Sequence, residues 1–402
     1  MTNPTAPDRL RAWWAHRQGL DGTLAGISAA DVLVRTGWAR SVGGSAPYLG
    51  LFARAGLDRA TVDAAVAGLD VHELPSARGC TYVLPAEDFA LGLTVGAGAP
   101  EGEIAMARKH LGVTDDEIDR LCAAILTALS ADEPLDPAGI RAATGDAARN
   151  LGDAGRKRGT TTTLPLALGR LQARGEIRRV PVNGRLDQQR YGYVRWSPGP
   201  FADGDPAQAM VELARRYFRW AGPASLKHFR WFAGCTAAAA KAAVAALDLV
   251  PLPDSDLLLD KATEDEFTAF KTPEQPCYAL VAGIDGIHLL HRDLGRLLDP
   301  ADAGRSVPDS KPGRTLSDET DPPTPVILDR GRLVGLWEYD PDEGQIAHQL
   351  FVPRDAALAA AIRRTTDFVR EQLGDVRTAS LDSPASRAPR IAALRGRVQV
   401  SG

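Results

Sequence analysis

The chain has 402 residues, 44% of them hydrophobic and 24% charged, with a formal net charge of −4. At roughly 100–200 residues per domain this describes a globular chain of several domains rather than a disordered one, and no apolar run approaches the ~20 residues that a membrane-crossing helix needs. Cys80, Cys122, Cys235 and Cys277 are widely scattered, with no Cys-x-x-Cys pair and no histidine at ligand spacing. Neither a zinc site nor a disulfide framework is therefore expected, nor any other metal or cofactor, and the thiols fit a reducing cytoplasm. The opening MTNPTAPDRL lacks a basic start followed by an apolar stretch, so no signal peptide is expected.

In chain order, an amphipathic helix bearing Trp13 and Trp14 comes first. A second helix starts at Ser28, where Ser28 and Asp31 have capping-box character. Gly43, Gly44 and Pro47 interrupt before an apolar segment over 48–55. Residues 61–68 read as a helix, and 71–74 with 80–84 as a short strand pair. Gly96, Gly98 and Gly102 lack dinucleotide-binding spacing and read as a linker. A clear helix follows over 115–129, with Ile118, Leu121, Cys122, Ile125, Leu126 and Leu129 on one side, then a short helix over 136–143 and a glycine- and arginine-rich joint over 152–159.

Residues 160–196 carry the strongest signal. Hydroxyl caps at 160–163, Pro165 in a first turn, and Leu164, Leu168 and Leu171 at helical spacing predict a helix whose opposite side bears Arg170 and Arg174. Strands over 176–182 and 185–196 flank Asn183-Gly184, which predicts a type I′ hairpin. Helix, strand, turn, strand is the back half of a winged helix. Between Arg141 and Arg195 there are eleven Arg and one Lys against four acidic residues, a net of +8 in an acidic chain. Such a tract is suited to phosphates, since only local cations displace the counterions of DNA. A solvated, ion-paired helix face is the alternative.

After a linker over 197–206 come helices over 206–220, 225–232 and 236–247 and a strand over 249–252. The last of these helices is nearly all alanine and reads as packing. Strands are expected over 277–284, 287–290, 325–328, 333–339 and 345–351, forming a small barrel. Residues 309–325 read as a mobile loop, 356–373 as a closing helix, and the residues after Thr378 as a basic, weakly ordered tail. The fold class is thus α+β: three tandem winged-helix units (1–110, 111–200 and 201–252), a C-terminal β-barrel with its helix (253–376) and a tail (377–402). His291-Arg292-Asp293-Leu294 imitates a kinase catalytic loop, but its companion motifs are missing.

Arg17-Gln18-Gly19-Leu20, Arg35-Thr36-Gly37, Arg78-Gly79-Cys80-Thr81-Tyr82-Val83-Leu84-Pro85, residues 212–222, Leu257–Asp260 and 325–337 follow one another along the chain. Together these segments resemble the AlkZ/YcaQ-type DNA glycosylases. The resemblance spans residues 8–374. It implies tandem winged helices with a β-barrel, double-stranded DNA as partner, and excision of alkylated or crosslinked bases. The family's two polar motif positions after its glycine fall on Ala39 and Ser41, and Tyr82 stands where the family has histidine. Alanine neither orients nor deprotonates water. Arg40 is a phosphate-binding candidate and Trp38 a base-stacking one, and Asp31, Glu73 and Asp58 are candidate bases from their nearness in sequence. The expected DNA face comprises Arg40, Arg156, Lys157, Arg158, Arg170, Arg174, Arg178, Arg179, Arg185 and Arg190. Two functions follow for a cytoplasmic monomer: a divergent glycosylase, or a DNA binder that has lost catalysis and acts as a lesion sensor or transcriptional regulator.

Overall fold

The computed structural model of the chain describes residues 6–188, 190–200, 204–379 and 382–396. The start of the chain, part of the expected 197–206 linker and the end of the tail lie outside them. Among the described residues no helix is long and apolar enough to cross a membrane.

Helix α1 (Pro7–Arg17) buries Trp13 and Trp14, whose indole N–H groups donate to the carbonyls of Gly222 and Pro223 at 2.8 and 3.1 Å. Helix α2 (Ala29–Thr36) is capped by Ser28, which accepts from the Asp31 amide and donates to its carboxylate. Gly37 then turns the chain at φ +101°, with the Trp220 ring 3.1 Å from where a Cβ would stand, so both conformation and space demand glycine. Strand β1 (Ala39–Arg40), helices α3 (Ala46–Ala55) and α4 (Arg59–Ala67), and strands β2 (Val71–Pro75) and β3 (Thr81–Pro85) follow, the strands pairing antiparallel in the order β1-β3-β2.

The glycine-rich stretch expected as a linker forms helices α5 (Phe89–Gly96) and α6 (Gly98–Leu111). Next come α7 (Asp115–Ala128), α8 (Pro137–Thr144), α9 (Gly152–Arg156), α10 (Leu164–Ala173) and the antiparallel pair β4 (Ile177–Pro181) and β5 (Tyr191–Arg195). Residues 104–193 share a hydrophobic cluster of their own, built on Ile118, Leu121, Ile125, Leu164, Leu168 and Leu171. A further layer holds α11 (Pro206–Ala221), β6 (Ala224–Ser225), α12 (Leu226–Ala233), α13 (Ala237–Ala245), β7 (Leu249–Pro251) and β8 (Leu257–Asp260), with strand order β6-β8-β7.

The remainder comprises α14 (Glu264–Ala269), β9 (Tyr278–Val281), α15 (Gly286–Leu289), α16 (Leu294–Leu297), β10 (Val326–Asp329), β11 (Arg332–Asp340), β12 (Gln345–Leu350), α17 (Ala356–Phe368) and α18 (Pro384–Leu394). Three sequence expectations are corrected here. Strands β9 to β12 form an open four-stranded antiparallel sheet, not a closed barrel. Residues expected as a strand over 287–290 are helical, because the Asp285 carboxylate accepts from the Ile287 amide and caps a turn. The expected weak tail contains α18, which packs on β11 with Arg390 against buried Glu338, while its fully buried Arg387 pairs with Asp375 beyond α17. The segment read as a mobile loop is anchored by Leu316, which is fully buried.

The first and last parts of the chain share their cores, residues 29–83 packing with 280–376 and residues 10–20 with 252–394. At their meeting point Arg54 and Asp285 form a bidentate pair at 2.8 and 2.7 Å, both side chains about 95% buried. Gln18 Oε1 accepts from Arg54 at 3.0 Å, while its amide nitrogen donates to the carbonyls of Thr36 and Trp220. Burial pushes the Asp285 carboxyl up, but the Arg54 charge and hydrogen bonds outweigh it and hold it below the ordinary carboxylate value. A depressed folded-state pKa contributes stability that is full above the unfolded pKa and lost as pH falls through the folded one. Asp285→Asn should therefore lower stability by about 3–5 kcal/mol near neutral pH. The gap to wild type in urea denaturation should narrow below pH ~4. An equal gap at every pH would contradict this assignment.

Candidate active site and nucleic-acid interface

Antiparallel pairing places Ala39 opposite Val83 and Val83 opposite Glu73, so these three share one face of the first sheet. Ser41 continues β1 through a bond from its amide to the Thr81 carbonyl, and its hydroxyl donates to Glu73 Oε1. Both side chains are buried, Ser41 at 1% and Glu73 at 4% exposure. Among the described residues Glu73 Oε2 has no hydrogen-bond partner, and the nearest cation, Arg179 Nη1, stands 3.9 Å away. Arg179 lies over the Tyr191 ring, 5.3 Å from its centroid. Burial, and after it the Glu73 charge, raises the Tyr191 pKa and keeps the phenol protonated.

Of the three carboxylates named from sequence, the structure brings only Glu73 to Ser41. Asp31 and Asp58 are exposed and occupied at helix starts, Asp31 with Ser28 and Asp58 with the Thr61 amide at 2.7 Å. Arg40 donates to the carbonyls of Thr81 (2.6 Å) and Ser41 (3.1 Å) and lies 5.4 Å from the Tyr82 centroid, so it braces the strand pair. Tyr82 is 1% exposed, its pKa pushed up to about 12 by burial. Trp38 is buried among Tyr82, Trp220 and Phe232, and its indole donates to Asp88 at 2.7 Å, which removes it as a base-stacking surface. His72 points to the other face of β2, against Phe89 and Trp196, and burial lowers its pKa to about 3.

The arginine tract divides. Arg170, expected on the exposed side of its helix, is 6% exposed and gripped by Glu101 and Asp119. Helix α10 packs against α6, α7 and β2, and the side left open, through Pro165, Gly169 and Gln172, carries no arginine. The hairpin differs too. Its strands end at Pro181 and resume at Tyr191, with a helical turn at Leu186–Gln188 between them, so the connection is longer than the two-residue turn expected. Leu186 explains this: it is 1% exposed, packs into the core of the first unit, and its amide donates to the Tyr48 hydroxyl at 3.0 Å. Arg185 pairs with Asp187 and donates to the Leu373 carbonyl at 2.9 Å. Arg178 is half-buried, which lowers its pKa. Arg156, Lys157, Arg158, Arg174 and Arg190 are exposed, Arg156 beside Asp153.

Sequence reasoning missed that the hairpin carries Arg179 and Tyr191 to Glu73. A leucine amid polar turn residues was the available signal. Between the first sheet and helices α8 and α10 runs a cleft of about 590 Å3, whose lining includes Thr81, Arg141, Thr161, Gln172 and Arg179. Thr81 and Arg179 are thus common to the cleft and to the surroundings of Ser41 and Glu73. A buried carboxylate beside a hydroxyl, with its nearest guanidinium in the wall of a cleft, has the groups to bind a cation or to activate water.

The family model for AlkZ-like DNA glycosylases matches residues 26–368. The chain belongs to the AlkZ-like DNA glycosylase family. Among solved structures it is similar to Streptomyces sahachiroi DNA glycosylase AlkZ, with a TM-score of 0.68 and 19% identity over 92% of this chain and 98% of that one. Among curated proteins none matches. The site lies within the residues matched by the family model, Ser41 just past the strand that follows Gly37 and Glu73 on β2.

Leu186→Ala should lower stability by about 2–4 kcal/mol in urea denaturation and quicken amide exchange over 177–195. Unchanged exchange there would show that Leu186 does not hold the hairpin down.

Proposed function

We propose that this member of the AlkZ-like family is a DNA N-glycosylase whose carboxylate is Glu73, acting beside the cleft between its first sheet and helices α8 and α10. The observation that carries the reading is the Ser41–Glu73 pair. Although Ala39 supplies no polar group, the neighbouring strand delivers a buried carboxylate to the same face. Glu73 would stabilise the cationic sugar as the glycosidic bond breaks and take the proton of the attacking water, with Ser41 holding the carboxylate in place. An alkylated purine that already carries positive charge leaves as a neutral base and needs no acid, which suits a site with one carboxylate and a neutral His72 on the far face. The nucleotide would be turned out of the duplex into the cleft, past Arg179.

The same proposal takes the chain as three winged-helix units followed by the open sheet, acting as a cytoplasmic monomer on double-stranded DNA without a cofactor. The exposed Arg156, Lys157, Arg158, Arg174 and Arg190 support phosphate contact. Arg170 and Arg185, committed to internal partners, are withdrawn from that face.

Duplex containing alkylated purines should yield abasic sites with the wild-type chain. Glu73→Gln should slow that by about 100- to 10,000-fold at near-unchanged DNA affinity. Product formation undiminished in Glu73→Gln overturns the assignment of Glu73. No product with wild-type protein across several lesions, despite duplex binding, favours the binder reading.

A further inference from the structure

The turn joining β2 to β3 carries an arginine that the chemistry above leaves unused. Arg78 sits at φ +61°, in the left-handed region that side chains rarely adopt, and its side chain is exposed. Such strain persists where the surroundings impose it, and it concentrates at functional positions. Here the surroundings are α12. Its left-handed cap Gly234 lies so close that a Cβ there would stand 2.6 Å from Arg78 Cγ and 2.9 Å from its Cα. The turn thereby sets the Arg78 guanidinium 3.7 Å from the centroid of Trp231, a half-buried indole that Arg292 also covers at 4.4 Å.

The two arginines differ in what they have left to offer. Arg292 is paired with Asp321 at 3.1 Å. Arg78 forms no ion pair among the described residues, and its polar contact there is Cys80 Sγ at 3.6 Å. A guanidinium stacked flat on an indole keeps its N–H groups in the plane of the stack, directed outwards and already ordered. That is the geometry for a bidentate grip on a phosphate. The neighbouring Gly79 and Thr81 line the same cleft as Arg179, the arginine beside Glu73, and Lys227 and Arg230 are exposed on α12.

We propose that Arg78, held on Trp231, binds a backbone phosphate of DNA at the mouth of the cleft, beside the nucleotide presented to Glu73. The inference rests on the DNA-binding reading above and adds the third layer of the fold, through α12, to the DNA-contacting surface. A lysine cannot replace the arginine fully, having neither the plane that stacks nor the paired donors.

The test is the salt dependence of binding of the full chain to an undamaged 20-base-pair duplex, followed by fluorescence anisotropy. Arg78→Ala should bind about tenfold more weakly at moderate salt, with the slope of log K against log salt reduced by about one. Arg78→Lys should keep the slope near wild type but still bind more weakly, and Trp231→Leu should resemble it. Thermal unfolding separates these effects from loss of fold. Should Arg78→Ala fail to fold, Arg78→Lys decides, and wild-type affinity in it overturns the proposal. Wild-type affinity and slope in Arg78→Ala, while a triple alanine variant at Arg156, Lys157 and Arg158 flattens the slope, overturns Arg78 alone. A wild-type chain that binds no duplex overturns this proposal and the DNA reading together.

Discussion

The Arg54–Asp285 pair is the constraint around which the candidate site is assembled. It joins α3 to the turn before α15, and through Gln18 it fixes the ends of α1, α2 and α11. These groups line the same small cavity as Trp38, Ala39 and Arg40, directly behind β1. A buried ion pair gains little net stability over an apolar replacement, because desolvating two charges offsets their attraction. Its effect is on alternatives. Any packing that fails to bring these distant segments together leaves a charge or an amide orphaned in the interior. The strand carrying Ser41 is therefore held by a network in which each partner comes from a different part of the chain.

Glu73 depends on that arrangement from one side and on the hairpin from the other. The hairpin lies against the first unit because Leu186 gains more by entering an apolar core than a wing gains by standing free in water. Arg179 accompanies it, and its charge offsets part of the penalty for burying a carboxylate. The same event removes Arg185 from solvent. A basic tract that looks uniform in sequence is thus split into arginines that complete the interior and arginines that face outwards.

How legible the fold was in the sequence follows from the range of the interactions. Helices α2, α7 and α10 announced themselves through Ser28, the Ile118–Leu121–Ile125 face and Leu164–Leu168–Leu171, since caps and periodicity are local. The pair β2–β3 was equally plain. Helices α5 and α6 were hidden by glycines at 92, 96, 98 and 102, and with α6 went Glu101, one of the two acids that hold Arg170. Leu186 was read into the returning strand because its partner Tyr48 lies 138 residues away, and Arg387 into a weak tail although its partner Asp375 is only 12 residues before it. The candidate site was half visible. Ser41 came from a motif position and Glu73 from proximity, but their pairing depends on strand register. Arg179 was assigned to DNA for its charge, which could not reveal that it faces a carboxylate.

On the proposed chemistry, that pairing has a consequence for substrate entry. Glu73 is screened by Arg179 at 3.9 Å while Oε2 is without a hydrogen bond among the described residues, so the carboxylate is buried but not fully satisfied. A cationic base entering the cleft would repel the guanidinium and attract the carboxylate. Both forces act in a poorly solvated space where charges are felt strongly. Moving Arg179 towards a phosphate would exchange one anionic partner for another at little electrostatic expense, and would leave Glu73 facing the positive charge that develops on the sugar. The hairpin then serves binding and catalysis with the same residue, and a neutral, undamaged base would lack the charge needed to trigger the exchange.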